Sequence, residues 1–144
     1  MFSHIMLGAN DLEASKQFYD AVLGKLGAKP GVLSPNLQGH KRYFYFLDGS
    51  IFIITVPINN KPATHGNGST IGFKARSVED ADAWHAAGVA NGGKPIEDPP
   101  GIREGNGMKL YLAYLLDPAG NKICAMHTIR SVSYTHLRAH ETPC

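Results

Sequence analysis

A handful of side chains in this chain are suited to chemistry on a small molecule. His4 heads an apolar alternating run and offers an imidazole that can act as a base or bind a metal. Thr70 heads a second such run, 66 residues later. Cys124 lies in a further apolar run, where a thiol serves either as a soft metal ligand or as a small buried apolar group. Lys74 shares a strand face with Thr70 by alternation, and Lys122 shares one with Cys124. An ammonium on such a face can hold a carboxylate or an enolate-like oxygen. The simpler reading is a strand end whose ammonium reaches water. Arg42 with Tyr43 and Tyr45 is mirrored by Lys109 with Tyr111, and tyrosine serves core and pocket equally well. His40, His65, His85 and His127 stand at a strand entrance, in a linker, at a helix border and on the opposite strand face from Cys124, so each reads as structural.

The elements that must position these groups come in two copies. His4-Ile5-Met6-Leu7 aligns with Thr70-Ile71-Gly72-Phe73, Asp11-Leu12-Glu13 with Ser77-Val78-Glu79, Phe18-Tyr19 with Trp84-His85, and Gly27 with Gly93. Each copy reads as a strand, a capped helix and a glycine stop. Residues 2–8 alternate as a strand, and Asn10 or Asp11 caps a helix whose stripe is Leu12, Ser15, Phe18, Tyr19, Val22, Leu23 and Leu26. Residues 28–39 read as a loop with a short edge strand. Strands over 41–47 and 50–56 form a hairpin across Asp48-Gly49. Residues 57–68 are a linker rich in Pro, Asn and Gly. The second copy has a strand over 69–76 and a helix capped by Ser77 with Asp80 in a capping-box variant, its stripe being Val78, Ala81, Trp84 and Ala87. A loop over 94–107 follows, then a hairpin of 108–116 and 121–127 turning at Asp117-Pro118-Ala119-Gly120. The expected domain spans 1–130: module one 1–58, linker 57–68 and module two 69–130. Residues 131–144 have no apolar period and no counterpart in the first copy. They read as a non-native or disordered tail, which sets aside His136, His140 and Cys144.

Composition excludes several functions. With 43% hydrophobic and 18% charged residues, the 144-residue chain can fold around one core. A net charge of +2, spread along the sequence, does not suit nucleic acid. No apolar run is long enough for a membrane helix, the N-terminus lacks a signal-peptide layout, and two cysteines make no disulfide framework. A cytoplasmic protein is expected. Gly66-Asn67-Gly68 and Gly105-Asn106-Gly107 lack the strand, helix and lysine of a phosphate loop, and no Ser-His-Asp set falls in a usable order.

Asp11-Leu12, Phe18-Tyr19, Leu23-Gly24 and Asp117-Pro118-Ala119-Gly120-Asn121, in this order, resemble the glyoxalase / bleomycin-resistance / extradiol dioxygenase group, the vicinal oxygen chelate superfamily. The resemblance runs over residues 2–127. It implies an α+β fold of two tandem βαβββ modules, a curved, barrel-like sheet with a concave cleft, a small-molecule ligand or substrate, and a homodimer. It also implies a divalent metal (zinc, nickel, iron or manganese) at four positions that fall here on His4, Ile53, Thr70 and Cys124. Ile53 has no donor, threonine is a poor ligand, and one imidazole with one thiol falls short of the three protein ligands a catalytic zinc needs. Gly101-Ile102-Arg103-Glu104 resembles a Pro-Gly-Leu-Arg element of one glyoxalase-like subgroup, which implies an Arg103 fork on an anionic substrate. The expected cleft is lined by His4, Ile53, Thr70, Lys74, Arg103, Tyr111 and Cys124, with His4 as catalytic base or, with Cys124, as partial metal ligand. Two functions follow: a lyase, isomerase or dioxygenase with a degenerate metal site, or a metal-independent, ligand-sequestering protein of the bleomycin-resistance type.

Overall fold

Alternating apolar strands and one-faced helices leave each copy with a sheet that must cover its helix, and the computed structural model, which describes residues 1–131, has that architecture. The order is β1 (Ile5–Gly8), α1 (Leu12–Gly24), β2 (Val32–Leu33), β3 (Arg42–Leu47), β4 (Ser50–Thr55), β5 (Ile71–Lys74), α2 (Val78–Ala90), β6 (Lys94–Pro95), β7 (Gly101–Gly105), β8 (Met108–Leu116) and β9 (Lys122–Ser131). The first sheet runs β1-β4-β3-β2 and the second β5-β9-β8-β6, with β7 also paired to β8. In both, the first strand lies parallel to the last, so the duplication read from the sequence is a duplication of topology. The fold is α+β, two βαβββ-type modules. The expectations placed on His136, His140 and Cys144 lie outside the described residues.

One expectation needs correction. The stretch 94–107 is not a loop throughout, because Lys94–Pro95 and Gly101–Gly105 both pair with β8. Most of its side chains are exposed, so the ladder is made by backbone groups that leave no apolar period in the sequence.

Local chemistry sets the helix ends. Asp11 is the first cap, accepting from Ala14 N–H at 3.1 Å. Asn10 instead ties the linker, donating to Ala63 O at 3.2 Å and accepting from Ala63 N–H at 2.7 Å. Ser77 caps α2 through Asp80 N–H at 3.0 Å. The reciprocal half of the capping box is not made, because the Asp80 carboxylate takes Arg76 at 3.3 Å. Gly27, at φ +105°, ends the first helical segment in the left-handed region.

The two modules meet through the helix-covered faces of their sheets. Phe52 of β4 and Phe73 of β5 sit edge to face at 5.2 Å, Tyr19 of α1 is 4.8 Å from Phe52, and Trp84 of α2 is 6.4 Å from Phe73. Gly88 lets the helices approach: a Cβ there would stand 2.3 Å from Leu115 and 3.2 Å from Phe18. A buried polar knot locks this arrangement. Tyr19 Oη donates to Asp117 Oδ2 at 2.6 Å, Asn121 Nδ2 donates to the same oxygen at 3.0 Å and to Gly8 O at 3.1 Å, and the backbone N–H groups of Ala119 and Asn121 both donate to Asp117 Oδ1 at 2.9 Å. Burial first, and then the Asp117 carboxylate, push the Tyr19 hydroxyl well above its ordinary pKa, so it remains a donor. Replacing Tyr19 by Phe removes a charge-assisted bond inside the core. Urea unfolding at neutral pH is expected to show a loss of about 2 kcal/mol with an unchanged denaturant slope. A loss below about 0.5 kcal/mol would mean that the knot does not hold the modules.

Candidate functional site

Register assigns each strand residue to a face. In the first sheet Met6 pairs with Ile53 and Ile53 with Phe44. In the second, Gly72 pairs with Cys124 and Cys124 with Tyr114. Paired residues point the same way, and their neighbours Phe52 and Ile123 are in the helix-covered core. Ile53 and Cys124 therefore lie on the faces turned away from the helices, as alternation predicts. Lys74 pairs with Met126 and Lys122 with Leu116 on that same outer side of the second sheet.

The predicted site residues do not gather in one place. His4 precedes β1 and is exposed, its Nδ1 2.8 Å from Ser3 Oγ. Thr70 is exposed ahead of β5. Ile53 and Cys124 are buried, at 4% and 7% exposure. Burial pushes the Cys124 thiol up, against the pull of Lys122, so the side chain is a neutral thiol at neutral pH. Arg103 pairs with Leu110 and so shares the face of Tyr114, but its Nη1 and Nη2 donate to Pro99 O at 3.3 Å and Asp98 O at 3.1 Å. It holds its own loop with two of its five donors.

Tyr111 requires a second correction. It pairs with His127 and Ile102, and its hydroxyl donates to Asp82 of α2 at 2.5 Å, which pushes its pKa up to about 12. It faces the helix, not the cleft. The mirror with the first module is real but structural. Tyr43 Oη donates to Glu13 at 2.6 Å and Tyr45 Oη to Asp20 at 2.8 Å, both on α1. In each module strand tyrosines tether the sheet to carboxylates of its own helix. Three other histidines are in structural positions: His40 bonds Asn60, His127 bonds Ala75 O, and half-buried His85 has its pKa lowered by burial.

Reading by residue type missed Glu97 and Tyr114. Lys122 Nζ pairs with Glu97 and stands 5.0 Å from the centre of the Tyr114 ring. The Glu97 bond raises the Lys122 pKa, so the group stays a cation rather than removing a proton, and its charge is paired with Glu97. Tyr114 was legible from strand parity with Cys124. Glu97, at φ +58° in a loop, carried no sequence signal.

A cavity of about 590 Å³ lies elsewhere, between the modules. His4 and Lys74 line it, along with Ile5, Phe52, Ile71 and Phe73; Ile53, Thr70, Arg103, Tyr111 and Cys124 do not.

The divalent metal implied by the resemblance does not fit these residues. Ile53 has no donor atom and Thr70 offers only a hydroxyl, which leaves one imidazole, His4, and one thiol, Cys124. Among the described residues, no three His, Cys, Asp or Glu side chains are grouped so as to hold a metal ion.

A family model described as the Glyoxalase/Bleomycin resistance protein/Dioxygenase superfamily matches residues 1–125. The crystal structure of a glyoxalase/bleomycin resistance protein from Albidiferax ferrireducens T118 is 61% identical, covering 88% of this chain and 98% of that one, with a TM-score of 0.80. Two more distant structures share the fold. One is a lactoylglutathione lyase from Agrobacterium tumefaciens, at 22% identity, 88% and 92% coverage and TM-score 0.58. The other is a genomically encoded fosfomycin resistance protein from Listeria monocytogenes, at 17%, 94% and 97%, and 0.60. No curated protein matches the chain.

The raised thiol pKa has a direct consequence. In a Cys144→Ser chain, Cys124 should react with a disulfide reagent at pH 7 roughly tenfold or more slowly than after unfolding in guanidinium. Equal rates would show an accessible thiolate.

Proposed function

The chain belongs to the Glyoxalase/Bleomycin resistance protein/Dioxygenase superfamily, and from that premise we propose that it binds a small organic molecule on its outer sheet faces without a metal ion. The observation that carries this reading is the donor set, an apolar Ile53 and a Thr70 that offers only a hydroxyl at two of the four positions where the family places its metal. In place of the ion, the second module presents Lys122, Glu97 and the Tyr114 ring on the same face as Cys124. An aromatic plane beside an ion pair suits a ligand with a ring and a polar group that can bond either partner. The rival is an enzyme of the lyase, isomerase or dioxygenase kind. It rests on the exposed His4 imidazole as base or partial ligand. Metal analysis of protein purified without a nickel column separates the two. Well under one equivalent of zinc, nickel, iron or manganese is expected, with His4→Ala leaving that content unchanged. One tightly held equivalent that disappears in His4→Ala would establish the enzyme reading instead.

The same outer faces support a homodimer. Met6, Phe46 and Met126 are 42%, 56% and 37% exposed, and Phe46 stacks beside Phe44 at 6.2 Å. Apolar side chains massed on an open sheet face mark a surface that is covered in the working protein. A second copy of the chain brings the Ile53 face of one protomer toward the Cys124 face of the other, closing a cleft that a single chain leaves open. Light scattering should return about twice 15.6 kDa. Phe46→Lys, on a half-exposed position where it costs the fold little, should weaken the dimer roughly tenfold or more. A parent chain that stays monomeric at high micromolar concentration would refute the pairing.

A further inference from the structure

The cavity between the modules is separate from the outer faces just described. Its floor is Leu23 and Leu26 from the end of α1, and its walls include Phe52 and Phe73. These are core residues of the helix-covered side, whereas Tyr114 and Cys124 do not border it. A volume of about 590 Å³ with apolar walls falls in the range of sites that take small molecules. Such a chamber does not discriminate among apolar bodies, so its rim decides what it accepts.

The cavity's border holds two basic residues, Arg76 and Lys74, and the His4 imidazole, against one carboxylate, Asp48. Arg76, whose side chain is 64% exposed, gives its Nε to Asp80 at 3.3 Å, and among the described residues its two terminal nitrogens face solvent at the cavity's border with no protein partner. Those nitrogens lie 3.5 and 3.6 Å from the point a Cβ on Gly27 would occupy, and Gly27 has no side chain to crowd them. A planar guanidinium with two unused N–H edges beside an apolar chamber matches a carboxylate in a forked pair of bonds.

We propose that this chamber is a second binding site, for a monocarboxylate with an aliphatic or aromatic body. The body packs against Phe52 and Phe73, and the carboxylate is held at the rim by Arg76. The site stands apart from the metal-free reading of the outer faces, so failure of one leaves the other untouched.

Trp84 is the single tryptophan and packs against Phe73, so its fluorescence reports occupancy of the chamber. The parent chain is titrated with decanoate and with 1-decanol below their aggregation limits. Decanoate should bind about tenfold or more tightly than the alcohol, since only the acid can use the guanidinium. Arg76→Gln should erase that preference while leaving alcohol binding within about twofold. Ala28→Phe, which fills the chamber from its lining, should remove both, and Lys109→Gln on the far strand should change neither. Absence of binding by the parent, equal binding of acid and alcohol by the parent, or full decanoate affinity in a folded Ala28→Phe chain would each overturn the proposal. If Ala28→Phe fails to fold, the acid-to-alcohol ratio in Arg76→Gln decides it.

Discussion

Where the two modules meet, a carboxylate with four hydrogen bonds sits almost out of reach of water. Asp117 Oδ1 takes two backbone N–H groups of its own turn, and Oδ2 takes the Tyr19 hydroxyl and the Asn121 amide. Burying a carboxylate is costly unless its lone pairs are filled, so the turn and helix α1 must be placed to fill them. Asn121 extends the restraint by donating to Gly8 O, which brings the end of β1 against the last hairpin. The relative placement of the modules follows from this one requirement, and so does the aromatic seam of Tyr19, Phe52, Phe73 and Trp84 that the knot borders.

That placement decides which surfaces are inside. Because the modules meet through their helix-covered faces, the faces bearing Ile53 and Cys124 are left outward. A chamber also remains between the ends of β1, β5 and α1, where packing does not close. The outward faces have the position expected of a functional cleft and have lost the donor atoms that would make it a metal centre. What they keep is an apolar floor, an aromatic ring and an ion pair of Lys122 with Glu97. The side chains that looked most reactive in isolation serve other ends: Cys124 packs, Arg103 pins a loop and Tyr111 anchors a helix.

Both modules repeat a tether from strand tyrosines to helix carboxylates, Tyr43 and Tyr45 to Glu13 and Asp20, and Tyr111 to Asp82. At Asp20 burial works to raise the pKa, but the Gly31 N–H, Lys16 and Tyr45 together hold it below the ordinary carboxylate value. The mirrored tyrosines were visible in the sequence, yet their purpose was not. Tyrosine has one polar tip, and only the position of the helix determines whether that tip finds a carboxylate or a ligand.

Much of the architecture was legible in residue order. The 66-residue repeat, the caps at Asp11 and Ser77, the Asp48-Gly49 turn and the alternation placing Ile53 and Cys124 on one kind of face are local, and local patterns are written directly in sequence. The strands within 94–107 were not legible, because an exposed edge pairs through backbone and needs no apolar period. Nor was the partner of Lys122, since Glu97 is 25 residues away in a loop. The sequence by itself determined the elements, their faces and the missing metal donors, because side-chain type and spacing suffice for those. Tertiary structure alone decided that His4 and Lys74 border an inter-module chamber while Cys124 does not. That outcome depends on how two rigid modules dock, and docking is set by contacts between residues far apart in the chain.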